Sequence, residues 1–247
     1  ERHDMSKDWQ EWLDVIQDEF QNNKNSFLTQ PNIKRTVHPE HGGMNLYMKL
    51  NSDFANLSKI ADANCGKPNL QFGKHSLISV QSGYYIQLLK EHFSIEPKDL
   101  GHITDIGGGY GNLCRSIHML GFTGNYTILD FPQMNEMQEY FLSNTIEGSY
   151  SCKPLKPENL LKTAEESLLI GTFSINEMPL DDRKIIEPFY EQYKYIMIAH
   201  KHNKAFHSID NKEYFYGLKK KLSETHNMKM WKCPLRANDH YLIGTKK

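Results

Sequence analysis

The chain has 247 residues, 38% of them hydrophobic and 24% charged, with a formal net charge of −1. This composition excludes a disordered chain, and apolar runs of only a few residues exclude a membrane-spanning helix. The near-zero charge supplies no basic field, so no nucleic-acid substrate is expected.

In chain order, residues 6–23 read as an amphipathic helix with Ser6 as its candidate cap. Trp9, Trp12, Leu13, Ile16 and Phe20 recur at three and four. That face docks on the core or, alternatively, forms a homodimer contact or a lid. Pro31, Pro39 and Gly42-Gly43 make residues 25–43 a loop. Residues 44–62 read as a second helix and 77–93 as a third, separated by a loop with Gly66, Pro68 and Gly73. Residues 1–94 are therefore expected to form a helical extension, and residues 95–247 the core. Gln81, Ser82 and Tyr84 lie just ahead of that core and are candidates to reach into its site; Tyr84 and Tyr85 serve equally well as packing residues.

The centre of the sequence is the stretch 101–132. A short strand over 103–106 carries Asp105, and Gly107, Gly108, Gly109, Tyr110 and Gly111 follow. A helix then starts near Asn112, with Leu113, Ile117 and Leu120 on one face and Gly121 at its end. A second strand, 126–129, ends at Asp130. The pattern is Asp-x-Gly-x-Gly-x-Gly. A dinucleotide fingerprint would place its third glycine at Asn112, and here it falls at Gly111. Glycines let a backbone approach a ligand closely, and a carboxylate at a strand tip is a bidentate acceptor for a vicinal diol.

Phe131-Pro132 ends the second strand. A helix with Met134, Met137, Tyr140 and Phe141 follows, then a strand over 150–153. Residues 168–174 form a central strand leading into Ile175-Asn176-Glu177-Met178-Pro179. Asp181 is expected to cap a helix through Tyr193. Strand 195–199 runs into His200, and a helix over 212–225 precedes a closing antiparallel hairpin, 228–233 and 241–245. The expected fold is α/β: a Rossmann-like, seven-stranded, mostly parallel sheet with its last strand antiparallel and helices on both faces.

The stretch from Asp105 through Asp130 resembles the class I methyltransferases that use S-adenosylmethionine. The segments DIGGGYGNLCR, LDFP and TFSINEMPLDDR resemble the sugar O-methyltransferase family. The resemblance implies that Asp105, Gly107, Gly108, Gly109 and Gly111 shape the cofactor turn. It gives Asp130 the ribose hydroxyls; Phe131 is placed to lie against the adenine, and Asn176 and Ser174 are candidates to hold sugar hydroxyls or the methionine tail. The adenine amino group would be recognised near Ser151 and Cys152. The product would be S-adenosylhomocysteine, and the acceptor a small sugar-like molecule, with a phenol or carboxylate as the alternative.

A sugar hydroxyl is a weak acid, so a general base is expected. Glu177 is the first candidate; the alternatives for it are to bind the cofactor's amino group or to cap the following helix. His200 is the second candidate base, with His202 beside it. Histidine has the ordinary pKa best suited to that role. The fourth strand lacks the Asn/Asp-Pro-Pro-Tyr/Phe stretch of methyltransferases acting on bases. His38-x-x-His41 and His200-Lys201-His202 read as surface groups, and no metal is expected. Cys65, Cys114, Cys152 and Cys233 form no CxxC pair and the first residues are charged, so the cytoplasm is the expected compartment.

Overall fold

The computed structural model describes residues 5–39, 42–160, 165–202, 209–236 and 238–247. Four helices come first: α1 (Met5–Asn22), α2 (Pro31–Val37), α3 (Met44–Asp53) and α4 (Leu77–Phe93). The α2 helix lies inside the stretch expected to be a loop. Pro31 stands at its start, where the fixed φ suits a helix and no N–H is needed. Its free N–H groups are met by Glu19 of α1, which accepts from the backbone of Asn32 at 3.0 Å and Ile33 at 3.1 Å. The second predicted helix stops at Asp53, and residues 57–60 form a separate turn. The α4 helix has the predicted bounds; the Ser76 hydroxyl accepts from the Ser79 N–H at its start.

The core then alternates strand and helix: β1 (His102–Ile106), α5 (Asn112–Met119), β2 (Asn125–Asp130), α6 (Pro132–Ser143), β3 (Tyr150–Pro154), β4 (Ser167–Thr172), α7 (Leu180–Ile186), β5 (Tyr195–Lys201) and α8 (Asn211–Leu222). Strands β6 (His226–Lys232) and β7 (Asp239–Lys246) close it. The order across the sheet is β3-β2-β1-β4-β5-β7-β6, with β7 antiparallel to both neighbours and the other pairings parallel. This is the expected mostly parallel sheet with a reversed last strand.

Local chemistry explains the helix ends. Beyond α5, Gly121 at φ +90° lets its N–H reach the carbonyl of His118 and the Phe122 N–H reach that of Ile117, the double bond of a glycine-terminated helix. Asp181 is not the cap of α7. Pro179 precedes that helix, and Asp181 sits in its first turn. The helix stops at Ile186 because Pro188 cannot donate, and 3-10 turns carry the chain to Gln192.

Two buried clusters sandwich the sheet. On one face Ile103, Ile128, Ile170 and Met197 pack with α4, α5, α6 and the preceding helices. On the other, Leu129, Leu169, Ile196 and Ile198 pack with α7 and α8. The α1 helix lies on α6, where Gln17 and Gln21 both donate to Glu136. The extension thus shares one hydrophobic core with the sheet. No described helix is long and apolar enough to cross a membrane.

Candidate active site

At the carboxyl ends of β1, β2, β4 and β5 lies a cavity of about 560 Å³. Crevices at such strand ends are where open parallel sheets bind ligands, and this volume is typical of a small-molecule site. The strand tips form its floor. Residues of α1, α2 and α4, among them Leu13, Arg35, Val37, Gln81, Ser82 and Tyr85, form the opposite walls.

The glycine turn is built for close approach. Gly107 has φ +72°, and a β-carbon there would lie 2.3 Å from the Ser174 β-carbon. Ser174 in turn donates to the carbonyl of Ile106, tying the β4 tip to the β1 tip. Gly111 has φ +98° and packs on Leu142. The turn is also joined to the extension, since the Asn112 amide donates to Ser79 and Ser82 of α4 at 3.2 Å each.

Asp130 faces the cavity. One carboxylate oxygen accepts from the Phe131 N–H at 2.9 Å and the other from the Gln138 amide at 2.8 Å. Each oxygen keeps a lone pair for a ligand. The same Gln138 amide donates to the Gly109 carbonyl at 2.9 Å, bracing turn and acid together. Burial pushes the Asp130 carboxyl up to about 7. Phe131, 40% exposed, stands at the cavity wall beside it.

Asp105 is placed differently. It lies beneath the turn, 1% exposed, and accepts from the Tyr126 hydroxyl at 2.8 Å. A β-carbon on Gly108 would come within 3.2 Å of it. Burial raises it to about 7 as well. It supports the turn from below and does not line the cavity.

After β4, Phe173 adopts φ +66°, a left-handed backbone unusual for an aromatic residue, and its N–H bonds to the Ala199 carbonyl at 2.8 Å. Such local strain clusters at functional sites. The bend delivers Ser174, Glu177 and Met178 to the cavity. The Glu177 carboxylate caps no helix: α7 has no side-chain cap, and among the described residues Glu177 makes no side-chain hydrogen bond. Burial raises its proton affinity, and the nearby Lys201 ammonium partly offsets this.

Arg183 holds this segment. It is 1% exposed and donates to the Met178 carbonyl at 3.0 Å, the Asn176 carbonyl at 3.0 Å and Asn211 Oδ1 at 2.8 Å. The two carbonyls flank Glu177. Asn176, itself buried, does not reach the cavity.

The structure does not bring His200 to this site. Along β5 the side chains alternate, so His200 shares a face with Ile196 and Ile198, and Lys201 shares the other with Met197 and Ala199. The His200 ring stacks on Phe215 of α8 at 3.8 Å, and burial pushes its pKa down to about 3. His202 stacks on His240 at 3.5 Å, also off the cavity lining. Tyr84 packs edge-on against Tyr241, and its neighbour Tyr85 takes the cavity wall. Ser151 and Cys152 pair with Thr127 and Glu139 outside the lining. The Asn69 N–H donates to His38 Nε2, and His41 lies outside the described residues. Among the described residues, no three His, Cys, Asp or Glu side chains are grouped to hold a metal ion.

Solved structures share this architecture. The methyltransferase domain of a bacterial Hen1 protein, CtHen1, aligns with a TM-score of 0.50 at 10% identity, over 67% of this chain and 97% of that one. A fibrillarin pre-rRNA processing protein of Methanococcus jannaschii gives 0.47 at 14% identity, over 62% and 69%. An O-methyltransferase family 2 protein of Planctomyces limnophilus, solved with apigenin, gives 0.42 at 10% identity, over 59% and 50%. No protein-family model matches the sequence, and no curated protein matches it. The likeness to the CtHen1 domain establishes the fold as that of a methyltransferase domain.

Proposed function

We propose that this protein transfers a methyl group from S-adenosylmethionine to a hydroxyl of a sugar or glycoside, leaving S-adenosylhomocysteine. The observation that carries this reading is Glu177: a carboxylate without a side-chain hydrogen bond among the described residues, on the wall of the same cavity as Asp130 and the glycine turn.

The residues present fit the cofactor. The two unused lone pairs of Asp130 suit two ribose hydroxyls, Phe131 offers an apolar face for the adenine, and the backbone of Gly107–Gly109 permits close approach. Ser174, at the β4 end of the cavity, is assigned the methionine part. Asp105 then acts through the turn it supports. Bound S-adenosylmethionine would supply a methyl group on a sulfonium, already a good leaving group. The chain's own task is to position the acceptor oxygen and remove its proton. Glu177, with its raised proton affinity, is assigned that proton. Since His200 lies across the sheet, it receives no part in the step.

Residues 1–94 are read as a cap that closes the cavity. With a formal net charge of −1, the acceptor is taken to be a small molecule and not a nucleic acid. All four cysteines are free, which suits a reducing cytoplasm. The second reading of Glu177, as ligand of the cofactor's amino group, goes with a more acidic acceptor such as a phenol, which needs no base.

Calorimetry with S-adenosylmethionine tests the reading. One-to-one binding by the intact chain is expected, and absence of binding overturns it.

A further inference from the structure

The cavity wall over β5 carries two cations to which the proposed step gives no role. Lys201, the last residue of β5, reaches the cavity through the alternation that takes His200 away. Its ammonium lies 5.5 Å from the ring centre of Phe173 and forms no ion pair among the described residues. Arg236, from the segment between β6 and β7, stands beside it. Its Nε meets an Asp239 carboxylate oxygen at 3.0 Å, and its Nη1 has no hydrogen-bond partner among the described residues.

Asp239 is opposite Lys201 in the β5–β7 ladder, and its side chain is only 4% exposed. Both cations act on that one buried carboxylate. Asp239 makes its direct contact with Arg236, so Lys201 has no ion pair of its own among the described residues. Tyr85, close enough to feel the Arg236 charge, brings a hydroxyl that makes no hydrogen bond among the described residues. An ammonium without an ion pair, a planar guanidinium with an unpartnered Nη1 and a phenol hydroxyl make a receptor for an oxyanion. Glu177 is within the field of the same Lys201 ammonium.

We infer that the acceptor is an acidic sugar, and that Lys201 and Arg236 hold its carboxylate or phosphate beside the hydroxyl whose proton passes to Glu177. This rests on the methyl-transfer reading above. It adds a physical benefit: an anion seated on Lys201 cancels the charge that lowers the proton affinity of Glu177, so the base strengthens only when the acceptor is in place. A neutral sugar would leave the Lys201 ammonium desolvated without an anionic partner.

The test uses the full chain. Binding of S-adenosylmethionine is measured first, then binding of D-glucuronate, glucose 6-phosphate and methyl glucoside to the protein saturated with S-adenosylhomocysteine. At least one acidic sugar is expected to bind ten times more tightly than methyl glucoside, and which one distinguishes carboxylate from phosphate. Lys201→Met should cut that preference about tenfold and leave S-adenosylmethionine affinity within twofold; Lys201→Arg should restore it. Lysine is chosen because removing Arg236 would strand the Asp239 carboxylate. Equal binding of acidic and neutral sugars, or no sugar binding, overturns the inference and spares the cofactor reading. So does a matching loss of S-adenosylmethionine affinity in Lys201→Met, which would assign the cation to the cofactor. Failure of the wild-type chain to bind S-adenosylmethionine removes both.

Discussion

The two ends of the cavity are built on opposite plans. Over β1 and β2 the turn and the cavity-facing acid are braced by hydrogen bonds. Asp130 is held by Phe131 and Gln138, Gly109 by the same glutamine, the Ile106 carbonyl by Ser174, and Asn112 by two serines of α4. Over β4 and β5, Glu177, Lys201 and Tyr85 face the cavity without side-chain hydrogen bonds among the described residues, although the backbone beneath Glu177 is strapped down by Arg183. A pre-satisfied rim is rigid and suits a ligand common to many turnovers. A rigid backbone carrying unpartnered polar groups suits chemistry and selection, because those groups gain their partners only from the substrate.

This division makes measurable demands. The largest effect should come from Glu177→Gln, which keeps the shape and removes the base. Turnover should fall by roughly 10³-fold, within the usual range for general-base loss, while cofactor affinity measured by calorimetry stays within twofold. An equal loss of affinity would move Glu177 to the cofactor end. Asp130→Ala should do the reverse. Losing hydrogen bonds to a charged group costs about 1.5–3 kcal/mol, so cofactor affinity should drop by one to two orders of magnitude. Unchanged affinity would separate Asp130 from the ligand.

Gly107→Ala probes the seam between the two ends. The methyl group would meet the Ser174 β-carbon 2.3 Å away, at a backbone angle that alanine avoids. Overpacking of this kind costs about 1–3 kcal/mol, visible as a lowered melting temperature with or without ligand. An unchanged melting temperature would mean that the seam yields freely.

The smallest effect is the pH dependence. Burial raises the Asp130 carboxyl to about 7, above its ordinary value of 3.8. The folded state therefore holds that proton more tightly than the unfolded chain. The group's stabilising contribution is present below about pH 4 and is lost as pH rises through 7. Cofactor hydroxyls need the ionised form, so affinity should rise with pH between 6 and 8 and flatten above. Asp130→Asn should abolish the slope; a slope that survives belongs to another group.

Much of the first end was legible because it is local in sequence. Asp105, the glycines and Asp130 fall within one β-α-β unit, where strand tips and turns follow from residue type and spacing alone. Gln138, two helical turns beyond Asp130 on α6, gave no signal of its own, since its role exists only once that helix folds back over the glycine turn. The second end was mostly illegible for the same reason. Tyr85, Lys201 and Arg236 come from three separate parts of the chain. Tyr84 and Tyr85 were indistinguishable on a helix buried almost all round.

Taken by itself, the sequence determined the alternation of strands and helices, the reversed last strand, the glycine turn and the acid after β2, because each depends on neighbours a few residues apart. Tertiary structure decided which side of a strand faces the cavity. The β5 strand is buried on both faces, so its hydrophobic run carries no alternating pattern to show whether His200 or Lys201 points inward. Only packing against α8 on one face and α4 on the other settles that, and with it the charge that the substrate meets.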